Sequence, residues 1–251
     1  SSICRRHAVA FPPACRQSRS RLRAVSRVPA PMPSGAPATH RRNRRLLAHS
    51  RRRTDVRQFV ICAHEATADP EFSLDDLPGD GGRMDLLCRA VGAALFTSHG
   101  IRDARVHLVI EDLTVQFDGA TARNLNPDAR STAARVREAL DSRADAIGHQ
   151  PATVSPGVKL YRTGLATTLD RLDGTLVQLH EDGTPLATVD PPANPVFVLS
   201  DHRDFTDEEA TLLADRADQR LRVGPRAIHA DHAVAVTHNW LDTDGYTDYE
   251  G

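Results

Sequence analysis

Short apolar runs alternate with longer amphipathic segments along residues 56–251 of this 251-residue chain. Arg57–Ala63 and Ala104–Glu111 are compact runs rich in β-branched residues and predict buried strands. Between them, Met84–Ser98 carries apolar residues at helical spacing and predicts a helix. Strands that alternate with helices are typical of an α/β domain with a mostly parallel sheet. Further strands are predicted at Leu113–Phe117, Val158–Tyr161, Leu176–Leu179, Leu186–Val189, Pro195–Leu199 and Leu221–Val223.

Local capping and turn motifs predict where helices begin and where the chain turns. Thr206 is followed three residues later by Glu209, the pattern of a capping box in which two free backbone N–H groups are satisfied reciprocally. Glu181-Asp182-Gly183 lies between two predicted strands and predicts a hairpin turn. The remaining helices are predicted at Arg130–Ile147, Thr206–Ala217 and Ala233–Leu241.

Arginine is concentrated at the start of the chain. Residues 1–55 contain 14 Arg, no Lys and one acid, Asp55. This segment has no sustained apolar period and cannot bury enough surface to offset its ordering entropy, so we expect disorder. A nucleic-acid-binding arm and an organelle transit peptide are the functional alternatives. The favoured hypothesis is an over-extended gene start, because a GUG start codon read through is written as Val and the composition changes abruptly at Val56.

The rest of the chain is acidic. The whole sequence has 32 basic and 33 acidic residues, so residues 56–251 hold 18 basic and 32 acidic ones, a net charge of −14. Their only lysine is Lys159. An acidic surface with little Lys suits a cytoplasm of very high salt, where the Debye length falls to roughly 3 Å at 1 M. We therefore expect a halophilic source, with an ordinary acidic mesophile protein as the alternative.

The spacing of cysteine and histidine gives no reason to expect a metal site. His229 and His232 could form a pair, but no acid or third His completes a ligand set. The cysteines form no zinc pattern, which fits a reducing cytoplasm, and no apolar run approaches the ~20 residues of a membrane span. A cytoplasmic protein is expected. The four cysteines are Cys4, Cys15, Cys62 and Cys88.

Three loops near the carboxyl end are the candidates for a binding site. Two apolar strands end in small or polar residues, Ser200-Asp201-His202 and Gly224-Pro225, and a third loop, Ile228–His232, leads into the last helix. Ligands of open α/β sheets bind at the carboxyl ends of strands. The loops could cradle a nucleoside through backbone N–H and C=O groups, with Gly224 permitting close approach. Loop-bracing hydrogen bonds are the expected role of His202, His232 and Asp201.

The order of segments resembles a known family. VFVLSDH, an acidic helix and RVGP before an apolar helix are similar to the carboxyl half of SPOUT methyltransferases. Upstream, RQFVICAHEA, FSLDDLPGDGGRMDLLCRAV, RVHLVIED, NPDARSTAARVREAL and SPGVKLYRTG resemble archaeal tRNA pseudouridine-54 N1-methyltransferases. The resemblance covers about 56–246 and implies a single domain over 56–251. It also implies a deep trefoil knot at about 195–242 that binds S-adenosylmethionine (SAM), pairing as a homodimer, and tRNA as the substrate.

The resemblance also implies which residues hold the cofactor. Leu199 and Gly224 would act largely through main-chain groups. Several family members have Cys where this chain has Ala233, so a main-chain contact there would survive and a thiol role would not. The implied cofactor-binding residues are Leu199, Ser200, Gly224, Ile228, His229 and Ala233.

On the substrate side, Arg83 and Asp85 are similar to an R-x-D element of related rRNA pseudouridine methyltransferases. Pseudouridine frees N1 as an N–H, and a carboxylate at Asp85 is a fitting acceptor for that proton. Arg83 would hold phosphate or base oxygens through its planar fork. The structural alternative for Asp85 is an ordinary acid in a helix first turn. A local basic patch for RNA is expected from Arg83, Arg89, Arg102 and Arg105.

Other functions stay open at this point. The same fold could modify rRNA, or could be a non-catalytic RNA-binding or ribosome-assembly protein that has lost methyl transfer. A dinucleotide-binding Rossmann enzyme is disfavoured because no predicted strand is followed by GxGxxG.

Overall fold

The computed structural model describes residues 56–250. The expectations for residues 1–55, including disorder and an over-extended start, lie outside the described residues. Within the described part, the strands are β1 Arg57–Ala63, β2 Phe96–Thr97, β3 Gly100–Ile101, β4 Ala104–Ile110, β5 Leu113–Asp118, β6 Ala152–Ser155, β7 Val158–Tyr161, β8 Thr175–Pro185, β9 Pro195–Ser200 and β10 Gln219–Arg222. The helices are α1 Met84–Leu95, α2 Ala129–Asp141, α3 Leu165–Asp170, α4 Asp207–Arg216 and α5 Ala230–Asp242, with short 3₁₀ turns at Ser142–Asp145 and Leu186–Thr188.

One large sheet organises the described residues, with strand order β10-β8-β9-β1-β4-β5-β7-β6. The strands from β10 to β4 run parallel to one another. Strands β5, β7 and β6 extend one edge as an antiparallel meander. The predicted α/β class with a mostly parallel sheet is confirmed. The trefoil knot stays a prediction.

Helices cover both faces of the sheet because the central strands are apolar on both sides. On β1, Phe59 and Ile61 face a core that includes residues of α1, α2 and α5. Val60 and Cys62 alternate to the opposite face, where residues of α3 and α4 pack. Residues 56–250 thus form three layers, and Trp240 of α5 is fully buried among them.

The chain from 176 to 189 differs from its prediction. The strand predicted at Leu176–Leu179 lies within β8, but the hairpin at Glu181-Asp182-Gly183 and the strand at Leu186–Val189 are wrong. Strand β8 continues to Pro185, and Leu186–Thr188 is a 3₁₀ turn. The irregularity that resembled a turn is a bulge, because Arg220 of β10 pairs with Gln178 but Leu221 pairs with Thr184. A side chain at Gly183 would lie 2.4 Å from the Leu221 backbone, so β8 needs glycine there.

Other element boundaries shift by a few residues. The predicted helix from Met84 ends at Leu95, and the last helix begins three residues earlier than predicted, at Ala230. The capping box of Thr206 and Glu209 is confirmed, with reciprocal bonds of 3.3 and 2.9 Å. Strand β6 and helix α3 had no prediction, since both are too short to develop a period.

A buried polar contact fastens α5 to the sheet. The ring of His238 lies between the Arg57 guanidinium, 3.1 Å from Nδ1, and the Ala94 carbonyl oxygen, 3.1 Å from Nε2. This geometry is that of a neutral ring that donates through Nε2–H and accepts at Nδ1. Asp242, one turn further along α5, pairs with Arg57 at 2.6 Å and with Arg102 at 3.0 Å. The amino end of β1 is thereby held against the helix that follows the third candidate loop.

We predict that acid destabilises this fold through two buried histidines. Burial, reinforced by neighbouring arginines, lowers the pKa of His107 and the pKa of His238 to about 3. In the unfolded chain both rings take up a proton as the pH falls below about 6.5. The unfolded state therefore binds more protons than the folded state between about pH 6.5 and 3. The stability is fully present above pH 6.5 and falls by about 1.4 kcal/mol per pH unit for each histidine below it.

Urea unfolding between pH 7 and 5 measures this slope. The His107→Gln variant should lose about half of the slope, whereas exposed His149→Gln should leave it unchanged. Equal slopes in wild type and His107→Gln would contradict the assignment.

Candidate functional site

A cleft of about 360 Å³ opens at the carboxyl edge of the parallel strands. It lies where β8, β9 and β10 end and α5 begins, the edge at which open α/β sheets bind ligands. Its volume is within the range of about 300–1,000 Å³ typical of cofactor and small-molecule sites. The lining residues are Leu179, His180, Glu181, Leu199–Phe205, Arg222–Gly224, Arg226–Ala230 and Ala233.

The cleft exists because two neighbouring strands separate. Pairing between β8 and β9 ends at Gln178 and Val198, whereas β9 continues beside β1 as far as Ser200. Beyond Gln178, the bulge carries β8 away, so the end of β9 borders the cleft instead of a strand. Backbone N–H and C=O groups that a neighbouring strand would otherwise use are thus available to a ligand.

The structure brings the three candidate loops together in this one cleft. All six sequence-predicted cofactor residues line it: Leu199, Ser200, Gly224, Ile228, His229 and Ala233. The segment Leu179–Glu181 also lines the cleft. The sequence prediction missed it, because these residues were assigned to a strand end and a hairpin turn and not to the binding site. The break in apolar alternation after Leu179 was the only signal in the sequence.

The open side of Gly224 fits a ligand that approaches its backbone closely. A Cβ built on Gly224 would meet nothing nearer than the Arg226 carbonyl oxygen at 4.0 Å. Protein packing therefore does not demand glycine at this position, unlike Gly183. At the other side, α5 begins at Ala230 without a side-chain cap, so its first N–H groups are available to an anionic group.

Arg83 and Asp85 form a bidentate ion pair at the start of α1. Arg83 Nε lies 3.0 Å from Asp85 Oδ1, and Arg83 Nη2 lies 3.2 Å from Oδ2. Two successive left-handed residues make the turn that presents them, with φ of 59° at Gly82 and 64° at Arg83. A side chain on Gly82 would lie 1.8 Å from the Glu65 carbonyl oxygen. A left-handed non-glycine residue such as Arg83 is rare and marks a strained, specialised position.

The pair is ionised. The Arg83 hydrogen bond outweighs the effect of burial and lowers the pKa of Asp85, with further lowering from the charge of Arg89. The Asp85 hydrogen bond in turn raises the pKa of Arg83, and the charges of Glu65 and Asp201 add to it. Since Asp201 lines the cleft, the Arg83–Asp85 pair lies near enough to the cleft to be affected by one of its charges.

A cluster of acids and bases joins the ends of β1 and β9. His64 contacts Asp201 at 3.0 Å and Glu209 at 2.8 Å, and His202 contacts Glu65 at 3.0 Å. Asp201 also accepts the backbone N–H groups of His64 and Arg203, each at 2.9 Å. These contacts brace the loop after β9 in the way expected for Asp201 and His202. His64 had no role in the sequence prediction, because its partners lie more than a hundred residues away.

The four arginines predicted to form one basic patch are separated. Arg102 and Arg105 lie at the amino ends of the parallel strands, where they pair with Asp242 at 3.0 Å and Asp118 at 2.9 Å. Arg89 lies on α1 near the first turn of α5, with its Nε 3.5 Å from Asp231. Arg83 and Arg89 are therefore on the side of the cleft, and the other two are at the opposite edge of the sheet.

A second cavity of about 310 Å³ lies beside Arg89, between α1, the start of α2 and the first turn of α5. Asp231 on its wall directly follows Ala230, which lines the first cleft. Among residues 56–250, no group of three or more His, Cys, Asp or Glu side chains is arranged to hold a metal ion. Within the same range, no helix has the length and apolar character needed to cross a membrane.

The fold and cleft define the class of protein: an α/β protein with a nucleotide-sized site built from three loops at the carboxyl edge of its sheet. A family model described as "Putative SAM-dependent RNA methyltransferase" matches residues 56–246. The chain belongs to this family of SAM-dependent RNA methyltransferases.

Relatives support the same family. A tRNA (pseudouridine(54)-N(1))-methyltransferase of Haloferax volcanii is 58% identical over 198 residues, covering 77% of this chain and 100% of the relative. The protein of that name in Haloarcula marismortui is 60% identical over 198 residues with the same coverage. Among solved structures, Archaeoglobus fulgidus Nep1 bound to S-adenosylhomocysteine has a TM-score of 0.53 at 12% identity, covering 73% of this chain and 96% of that one. The last likeness supports the fold alone.

Two glycines give a matched test of the site. Gly224→Ala should leave the melting temperature unchanged but weaken SAM binding about tenfold to a hundredfold, because the added methyl intrudes by the equivalent of about 1–3 kcal/mol of overpacking. Gly82→Ala should lower the melting temperature, since its methyl collides with the Glu65 backbone. Calorimetric titration and thermal unfolding measure both variants. Unchanged SAM affinity in Gly224→Ala would show that the cofactor does not approach this loop.

Proposed function

We propose that this chain transfers a methyl group from SAM to N1 of the pseudouridine at position 54, in the T-arm of tRNA. The observation that carries the proposal is identity of 58% and 60% over the full length of two relatives named for this reaction. The cleft at Leu199, Gly224 and Ile228–Ala233 supports it, because three loops of the matched region meet in one cofactor-sized space.

The cofactor would be held mainly by backbone groups. Leu199 and Ser200 offer the free edge of β9, Gly224 allows close approach, and Ile228, His229 and Ala233 form the wall before and within α5. The uncapped start of α5 suits the carboxylate of the methionine moiety. When bound, SAM supplies an electrophilic methyl group on a positively charged sulfur.

Asp85 would select the nucleoside by its N–H. Uridine attaches its sugar through N1, whereas pseudouridine presents N1–H, so only pseudouridine can donate a hydrogen bond from that atom. The ion pair with Arg83 keeps Asp85 ionised, and an ionised carboxylate is a strong acceptor. Asp85 would orient N1 and accept its proton, while Arg83 would hold an oxygen of the base or phosphate. Positioning and exclusion of water are then the remaining contributions to methyl transfer.

Arg83 and Arg89 are the cations that we propose for RNA on this side. Arg89 is 46% exposed and lies by the second cavity, which adjoins the cofactor cleft through Asp231. The acidic composition fits an enzyme of high salt, where phosphate contacts alone bind weakly. Bidentate arginine contacts and shape would therefore contribute more than net charge.

We also propose a cytoplasmic homodimer, in which the Arg83–Asp85 pair faces a cofactor cleft of the same or of the partner subunit. Sedimentation equilibrium would test the assembly by giving the mass of one or two chains.

The activity test uses pseudouridine-containing tRNA and rRNA fragments, with the methyl group located by mass spectrometry. We expect methylation at N1 of position 54 in tRNA. Asp85→Asn should lower kcat about a hundredfold, within the range of losses typical for a proton-transfer group, while the exposed control Asp103→Asn should match wild type. Methylation of rRNA instead would indicate the rRNA enzyme. RNA binding without any SAM binding would indicate the non-catalytic alternative.

The arginines give a second test. Arg89→Ala should weaken tRNA binding and leave the melting temperature unchanged. Arg102→Ala should lower the melting temperature by breaking its contact with Asp242, with little effect on tRNA affinity. Filter binding and thermal unfolding at the same salt concentration measure both. Weaker tRNA binding in correctly folded Arg102→Ala would contradict this division and support the prediction of a single basic patch that includes Arg102.

A further inference from the structure

The side chain of His64 lies between two carboxylates at the end of β1. Its Nδ1 is 3.0 Å from Asp201 Oδ1, and its Nε2 is 2.8 Å from Glu209 Oε2. The backbone N–H of His64 also donates to Asp201 Oδ2 at 2.9 Å. One residue thus joins the loop after β9 to helix α4.

The surrounding hydrogen bonds fix the proton count of this ring. Asp201 accepts the Arg203 N–H, and Glu209 accepts the backbone N–H and hydroxyl of Thr206 at 2.9 and 3.1 Å. Carboxylate oxygens that already accept these hydrogen bonds offer lone pairs, not hydrogens, to the ring of His64. The Ser200 hydroxyl donates to the Arg203 carbonyl and therefore also presents a lone pair, 3.3 Å from Nδ1. Both ring nitrogens need a hydrogen, so the ring is an imidazolium.

Electrostatics agree with this geometry. Burial lowers the pKa of His64, but hydrogen bonds to Glu209 and Asp201 outweigh burial, and the pKa is raised. The same two carboxylates, after burial, raise the pKa of the Cys62 thiol behind the ring, so that thiol stays neutral. The other charged or titratable groups around the cluster are Glu65, His202 and Arg203 in the two loops and Arg83 at the start of α1.

The cluster is structurally continuous with the cofactor cleft. Ser200, Asp201 and Arg203 line that cleft, whereas His64 does not. The Asp201 N–H donates to the Cys62 carbonyl at 3.0 Å, so the loop is tied to β1 through both backbone and side chain. A change in the contacts of His64 would therefore reach the cleft through the position of this wall.

We propose that His64 is a positioning residue whose imidazolium holds the wall Ser200–Arg203 in its cofactor-binding shape, so that affinity for SAM falls when the ring loses its proton. This inference rests on the cofactor site of the proposed function. Deprotonation places a ring lone pair against a carboxylate oxygen of Asp201 or Glu209, which separates the loop from β1 or from α4. The contribution of His64 is thus present at low pH and is lost as the pH rises through the raised folded-state value.

The test compares full-length wild type with His64→Gln and Glu209→Gln from pH 6 to 9.5, with exposed His149→Gln as control. Calorimetric titration gives the SAM dissociation constant, and ¹⁵N-histidine NMR of the free protein gives the titration midpoint of His64. The amino group of SAM itself titrates near pH 8, so each variant is compared with wild type at the same pH. Gln at 209 can keep the capping box while removing its charge.

As the pH rises through the NMR midpoint of His64, we expect the SAM dissociation constant of wild type to increase on the order of tenfold. This increase is measured relative to His64→Gln at the same pH. By linkage, saturating SAM should move that midpoint upward by about one pH unit. In Glu209→Gln the midpoint and the affinity step should both move to lower pH. His149→Gln should behave as wild type.

A neutral His64 ring at pH 7 would overturn the inference, as would SAM binding with the same pH dependence in wild type and His64→Gln. If His64→Gln does not fold, an affinity step in Glu209→Gln that stays at the wild-type pH overturns it. SAM binding that fails at every pH overturns the proposed function together with this inference. SAM binding whose affinity does not change across the titration of His64 overturns this inference alone.

Discussion

The separation of β8 from β9 after Gln178 is the constraint on which the site depends. Arg220 and Leu221 are neighbours in β10, but their partners in β8, Gln178 and Thr184, are separated by five residues that do not pair with β10. Gly183 makes this possible by packing against the Leu221 backbone. The end of β9 is left without a neighbour on one side. A strand edge with unused N–H and C=O groups, buried at the bottom of a cleft, needs a ligand or water to satisfy it. Helix α5 and the loop before it close the opposite wall.

The charge distribution follows the same division of the molecule. The body is strongly acidic, yet its arginines at the amino ends of the strands are held by Asp242 and Asp118, where they stabilise the fold. At the carboxyl edge, Arg83 and Arg89 likewise pair with acids, Asp85 and Asp231, and their side chains are partly exposed.

What the sequence could predict was local. Strands β1 and β7 match their predicted bounds, and the capping box at Thr206 forms as expected, because strand pattern and caps depend on neighbours in the chain. The three loops meet as predicted because parallel strands end at one edge. The bulge in β8, the pairing of Arg102 and the contacts of His64 each join residues far apart in sequence. Their geometry is set by register and packing, which no local pattern contains.

Three histidines illustrate why environment, and not residue type, decides function here. His107 and His238 lie in the interior where each ring has a neighbour that stabilises the neutral form. His64 lies between two carboxylates at the edge of a cleft, where hydrogen bonds to both raise the pKa of the ring. Burial acts on all three in the same direction, so the difference must come from the partners. The two carboxylates hold one ring, and through Asp201 that ring is joined to the loop that forms a wall of the cleft.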